Sequence, residues 1–244
     1  MRVAVISDIH GNLPALEAVL ADLDGERVDA IWCLGDIVGY GPAPNECCAL
    51  VRARADICLC GNHDLGVVGA LELATFTGEA AAAARWTQGV LAPEHRDWLG
   101  SLKPRANADR SELFHASPRD PVWDYVLSDQ VAAEALRLTS APLVLVGHSH
   151  VALCVAQADE GSVGGGLAPG GTETPLAAPP RRLLNPGSVG QPRDGDPLAA
   201  WLLVDFDGDR GTFRRVPYDV EATQAAIRAA GLPEVLARRL AHGL

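Results

Sequence analysis

Residues 56–64 read Asp56-Ile57-Cys58-Leu59-Cys60-Gly61-Asn62-His63-Asp64, a short apolar run that ends in an amide, an imidazole and a carboxylate. Such side chains at the mouth of a buried strand add little to packing and bring metal-ligand and proton-transfer chemistry. The same grammar occurs twice upstream. Residues 2–7 are mostly apolar and β-branched, as expected of a strand buried on both faces, and they lead into Asp8-Ile9-His10-Gly11-Asn12. Residues 30–34 lead into Gly35-Asp36-Ile37-Val38-Gly39-Tyr40-Gly41-Pro42. Helical spacing follows each loop, at Leu13, Leu16, Val19, Leu20 and Leu23 and then over residues 43–53. Repetition of strand, polar loop and helix predicts an α/β fold whose ligands gather at the carboxyl ends of the strands.

Five of the seven histidines belong to short motifs: His10, His63, His115, and the pair His148 and His150 in Gly147-His148-Ser149-His150. Imidazole is both a common metal ligand and a proton carrier near neutral pH. His148 and His150 follow a predicted strand over 142–146, and an extended backbone would turn both to one face. Residues 65–102 read as Ala-rich helix, 103–110 as turns, 128–138 as helix and 151–158 as strand. Residues 161–180 carry Gly and Pro without periodicity and are expected to form a mobile surface loop. A strand at 181–184, a hairpin over 198–216 turned at Asp207-Gly208-Asp209 and a single helix over 219–240 complete the expectation.

Composition sets limits. The 244 residues are 48% hydrophobic, ample for a large core, and 20 basic against 31 acidic side chains leave a net charge of -11. That balance argues against nonspecific binding of long nucleic acid, although phosphates of nucleotides could still be met by metal ions in a pocket. Six cysteines lack CxxC spacing and read as buried thiols rather than a zinc site. No apolar window has the length of a membrane span, and the start resembles a first strand rather than a signal peptide. A cytoplasmic location is expected, with no membrane partner.

Taken in order, SDIHGN, GDIVGYGP, GNHD, GHSH and NPGSVGQPR resemble the calcineurin-like metallophosphoesterase superfamily, in particular its small bacterial and archaeal phosphodiesterase branch. The resemblance implies one domain over residues 1–244 with a four-layer αββα sandwich: two mixed β-sheets flanked by helices. It implies that Asp8, His10 and His150 hold one metal, Asn62, His115 and His148 the other, and that Asp36 bridges them. Mixed imidazole and carboxylate ligands suit Mn, with Fe, Zn, Ni, Co or Mg as alternatives. A hydroxide shared by the two cations would be the nucleophile, His63 the general acid and Asp64 its orienting partner. His115 departs from the pattern in being followed by Ala116 where the family usually has Gly.

Asn12 and Arg193 are candidate phosphate contacts, with a helix N-cap and a solvated loop charge as their respective competing readings. Tyr40 could stack a base or fill its loop. The expected function is phosphodiester hydrolysis of a small phosphoester or nucleotide, in a monomer or a homo-oligomer. Alternatives are a nucleotide or dinucleoside polyphosphate hydrolase, a phosphoprotein phosphatase, or a protein-binding scaffold of the same fold, as in the retromer complex.

Overall fold

The computed structural model describes residues 1–158 and 161–244. In chain order its elements are β1 (Arg2–Ile6), α1 (Leu13–Glu26), β2 (Ala30–Cys33), α2 (Pro44–Arg54), β3 (Ile57–Cys58), α3 (Asn62–Val68), α4 (Gly78–Val90), α5 (Pro93–Ser101), β4 (Arg105–Ala108), β5 (Ser111–Phe114), α6 (Asp129–Arg137), β6 (Leu143–Leu145), β7 (Ala152–Gln157), β8 (Val163–Leu167), β9 (Glu173–Pro175), β10 (Arg181–Pro186), β11 (Ala199–Asp205), β12 (Arg210–Val216), α7 (Val220–Ala229) and α8 (Glu234–Leu240). They build two six-stranded sheets, ordered β3-β2-β1-β11-β12-β9 and β4-β5-β6-β10-β7-β8. Each sheet mixes parallel and antiparallel pairs: β1 runs parallel to β2 and antiparallel to β11, and β10 runs parallel to β6 and antiparallel to β7.

Alternation along the central strands produces the layers. Val3 and Val5 of β1 face the second sheet, packing with Leu113, Leu145 and Leu184, while Ala4 and Ile6 face Leu16, Val19 and Leu23 of α1. On the far side Ala132, Ala135 and Leu136 of α6 cover Val144, Val155 and Leu183. Both faces of both sheets are therefore covered at their central strands, giving the expected αββα sandwich, while the edge strands β4, β8 and β9 keep exposed positions. Among the described residues no helix is long and apolar enough to cross a membrane.

Several sequence expectations are corrected. Residues 105–108, expected as turns, pair with β5 as an antiparallel strand. Within residues 161–180, expected as a loop without structure, β8 extends the second sheet beside β7 and β9 extends the first beside β12. The glycines of β8 hide the period-2 signal, because positions without side chains cannot alternate in hydropathy. The helix expected over 219–240 is two helices that break at Gly231-Leu232-Pro233, since proline lacks the N–H a continuing helix needs.

Trp201, fully buried in β11, packs on the α1 side and donates its indole N–H to Asp22 at 2.9 Å. Trp201→Ala should lower stability by about 3–5 kcal/mol, measured by urea unfolding; a loss below about 1 kcal/mol would show that this layer tolerates the cavity.

Candidate metal centre

The polar loops after β1, β2, β3, β5 and β6 are tied together by main-chain bonds. Asp8 N–H donates to Gly35 O at 3.0 Å, His10 N–H to Asp36 O at 2.9 Å, and Gly147 N–H to His115 O at 2.8 Å. Asp8, His10, Asp36, His148 and His150 all lie at positive φ, between 51° and 63°. This region is uncommon for residues other than glycine, and such strain persists only where surrounding structure over-determines it. The extended backbone expected around the GHSH pair is thus replaced by left-handed turns. His148 and His150 still reach the same centre, but in different clusters.

Asp8, His10, Asp36 and His150 form one buried cluster, and Asp36, His115 and His148 a second, in each of which the ligand atoms lie within 4.8 Å of one another. Asn62 Oδ1 lies 3.3 Å from His115 Nε2 and so belongs beside the second. Asp36 stands in both: its Oδ1 accepts the His63 N–H at 2.9 Å, while Oδ2 lies 3.7 Å from His10 Nε2 and 3.5 Å from His115 Nε2. All seven residues expected as ligands are therefore brought together.

The tautomers test whether cations fit. His10 Nδ1 faces Val38 O at 3.1 Å, His150 Nδ1 faces Gln191 O at 2.7 Å, and His115 Nδ1 faces Leu34 O at 2.9 Å. A carbonyl can only accept, so each Nδ1 carries the hydrogen and each neutral imidazole presents a lone pair at Nε2. The Nε2 atoms of His10 and His150 are 3.0 Å apart, with Asp8 Oδ1 3.4 Å from the latter. Asp8 Oδ1, Asp36 Oδ2 and His148 Nε2 are buried without a hydrogen-bond partner. Converging lone pairs with no proton among them suit divalent cations, and carbonyls that fix the remote ring nitrogen are the usual support of metal-binding imidazoles.

The chain matches the calcineurin-like phosphoesterase superfamily domain over residues 1–209. It belongs to that superfamily. It is 44% identical to a metallophosphoesterase from Sphaerobacter thermophilus whose crystal structure superposes with a TM-score of 0.90 over 100% of both chains. An uncharacterized protein of Methanocaldococcus jannaschii is 38% identical over 99% of this chain and 98% of its own. A symmetrical bis(5'-nucleosyl)-tetraphosphatase of Vibrio cholerae is 30% identical over 57% of this chain and 52% of its own, so the chain spans about half the length of that relative.

Around the superfamily's clustered ligands, burial sets the protonation. It pushes His63, His115 and His148 down to about 3 and holds His10 and His150 well below the usual imidazole range; neighbouring imidazoles or Arg193 add to the shift in each, and a backbone bond partly opposes it in His10, His115, His148 and His150. Burial also raises Asp8 to about 7 and Asp64 to about 6, and it raises Asp36 well above the carboxylate range, with Asp64 and Asp8 adding repulsion.

His63 is held by shape. Its ring packs against His10, Tyr40 and Phe76 at 4.8, 4.4 and 5.3 Å between centroids, and a Cβ on Gly39 would stand 2.5 Å from its Nδ1. That Nδ1 is buried without a hydrogen-bond partner.

Asp64, expected to orient His63 directly, instead accepts from the backbone N–H groups of Ile37, Val38 and Gly61 at 2.9, 3.1 and 3.0 Å. It clamps the β2 loop to the start of α3, and its effect on His63 is indirect. Asn12 takes the helix-cap role: Oδ1 accepts from Ala15 N–H and Thr223 Oγ1, and Nδ2 donates to Gly190 O at 2.8 Å. With these groups engaged it is poorly placed to hold a phosphate. Arg193 donates to Tyr40 Oη and Gln191 Oε1 beside the first cluster.

Sequence reasoning missed the aromatic rim. Tyr125 stacks on His148 at 4.1 Å while 45% exposed, and Trp123 meets Phe76 at 5.1 Å. The dense Trp-Asp-Tyr run was the available signal, but no motif marks it.

Folding without metal should carry a pH signature. Each imidazole with a depressed folded pKa contributes stability above about 6.5 that is lost as pH falls, because the unfolded chain binds the proton more tightly. Asp8, Asp36 and Asp64, with raised folded pKa values, act oppositely: their contribution is present below 3.8 and is lost as pH rises through about 6 and 7 for Asp64 and Asp8. Between about pH 6 and 4 the imidazoles outnumber the carboxylates, so the chelator-treated protein should lose thermal stability on acidification. A Tm that rises from pH 6 to pH 4 would contradict this balance.

Proposed function

We propose that the protein is a dinuclear-metal phosphoester hydrolase that prefers phosphodiesters and works with Mn. The observation that carries this reading is the pair of buried clusters sharing Asp36 Oδ2, with imidazole and carboxylate lone pairs aimed at common points. Asp8, His10, His150 and Asp36 would hold one cation, and Asp36, Asn62, His115 and His148 the other. Two divalent cations there would neutralise phosphoryl oxygens and acidify water at the site. The borderline imidazole and carboxylate donor set suits Mn, while Fe, Zn, Ni, Co and Mg are tested alongside it.

The chain's own residues supply the rest. Arg193 presents a planar guanidinium that can grip two phosphate oxygens. His63, neutral in its buried setting, gains a proton when an anionic phosphoester lies beside it, since a neighbouring negative charge favours the imidazolium. Its Nε2 then delivers that proton to the departing oxygen. Tyr125 and Trp123 offer an aromatic surface against which an aryl or base leaving group can lie. Hydrolysis of dinucleoside polyphosphates is the second reading, supported by the partial-length likeness to symmetrical bis(5'-nucleosyl)-tetraphosphatases. A scaffold without activity is disfavoured, because all seven ligand side chains are in place.

Mn-loaded protein should hydrolyse bis-p-nitrophenyl phosphate, exhaustive chelation should abolish turnover, and added Mn should restore it; turnover that survives chelation would overturn the assignment. His63→Gln should lower kcat on an unactivated alkyl phosphodiester by about 10²–10⁴-fold and much less on the activated aryl ester, whose leaving group needs no proton. Equal losses on both substrates would remove the general-acid role.

A further inference from the structure

We propose that Arg239 and Arg193 form a second anion subsite beside the metal centre, which selects phosphoesters carrying a further phosphate next to the scissile one. This rests on the phosphoesterase reading and extends it to substrate class. Arg239 lies on α8, beyond the segment matched to the superfamily. The α7–α8 pair is nevertheless firmly seated over the centre: Ile227, Leu232, Leu236, Ala237 and Leu240 are buried with Tyr40 and α4. Gln224 Nε2 donates to Ala237 O at 2.9 Å, fixing one helix against the other. With that register Arg239 points back toward the metal-binding loops.

The two guanidiniums share one neutral acceptor. Arg193 Nη2 donates to Gln191 Oε1 at 2.8 Å and Arg239 Nη1 to the same oxygen at 3.3 Å. Both flank the Tyr40 ring, at 5.7 and 6.0 Å from its centroid, and the same ring packs against His10 at 4.6 Å and His63 at 4.4 Å. The cations are therefore separated from the ligand imidazoles by little more than one phenol ring. Among the described residues no carboxylate lies within 4.0 Å of either guanidinium. In a chain of net charge -11, two adjacent like charges half-buried on a single amide oxygen are held against their repulsion by helix packing. A phosphate between them would satisfy both forks.

Basic character also continues outward. Arg239 lines a surface pocket of about 380 Å³ together with Val235, Arg238, His242 and Leu244.

The test compares tripolyphosphate with orthophosphate as inhibitors of bis-p-nitrophenyl phosphate hydrolysis at saturating Mn, with binding of each measured in parallel by calorimetry. Wild-type protein should bind tripolyphosphate at least about tenfold more tightly than orthophosphate. Arg239→Gln should collapse that ratio toward one, and Arg239→Lys should retain part of it. Sequestration of Mn differs between the two probes but is the same for every protein compared, so it drops out of the change in ratio between wild type and variant. Equal affinities in the wild type, or a ratio unchanged in Arg239→Gln, would overturn the subsite and leave Arg239 as a brace for α8. Should Arg239→Gln fail to fold, the change in ratio on Arg239→Lys still decides: a ratio equal to that of wild type would overturn the subsite. Absence of hydrolysis by Mn-loaded wild type would instead count against the phosphoesterase reading, while calorimetry would still report on the subsite.

Discussion

Facing lone pairs are the constraint around which this molecule is arranged. Carbonyl groups of Leu34, Val38 and Gln191 take the only hydrogen of His115, His10 and His150, so their Nε2 atoms turn toward carboxylates and toward one another with nothing to donate. In water each would find a proton donor; in a site closed to solvent, repulsion among them must be offset by cations or by protons. The raised carboxylates and depressed imidazoles are two expressions of this single cause, desolvation acting with opposite sign on acids and bases.

Such an arrangement needs a stiff frame. Five ligand residues occupy left-handed backbone, which costs of order 1–3 kcal/mol each when not otherwise compensated. The compensation is distributed over main-chain bonds that stitch the loops of both sheets together, and over Asp64, whose two oxygens bind three backbone N–H groups from separate loops. Gly61 shows how close the tolerance is: a Cβ there would stand 2.1 Å from Asp36 Oδ1 and 2.5 Å from His115 Cε1. Two sheets packed face to face hold the loop ends at fixed separation, so the same buried core that stabilises the fold also sets the ligand spacing.

Other elements wall the clustered ligands on two sides. Phe76, Trp123 and Tyr125 close one side of the centre with aromatic rings, and α8 closes another with Arg239. These segments lie outside the strand-to-loop junctions that carry the ligands, so they can differ without disturbing the metal-binding atoms.

By itself the sequence determined the α/β class, the three strand-loop-helix units and the identity of the clustered side chains, because hydropathy period and polar motifs at strand ends are local properties. The family resemblance carried by its ordered motifs also implied which histidines belong together. Tertiary structure alone decided what those residues do with their second atoms. Asn12 caps a helix and Asp64 clamps loops because backbone partners distant in sequence happen to arrive there, and His148 and His150 diverge because both residues are left-handed rather than extended. The β8 and β9 strands and the reach of Arg239 to Gln191 were illegible for the same reason: glycine-rich edge pairing and a side chain aimed across a helix interface depend on neighbours brought near only by folding.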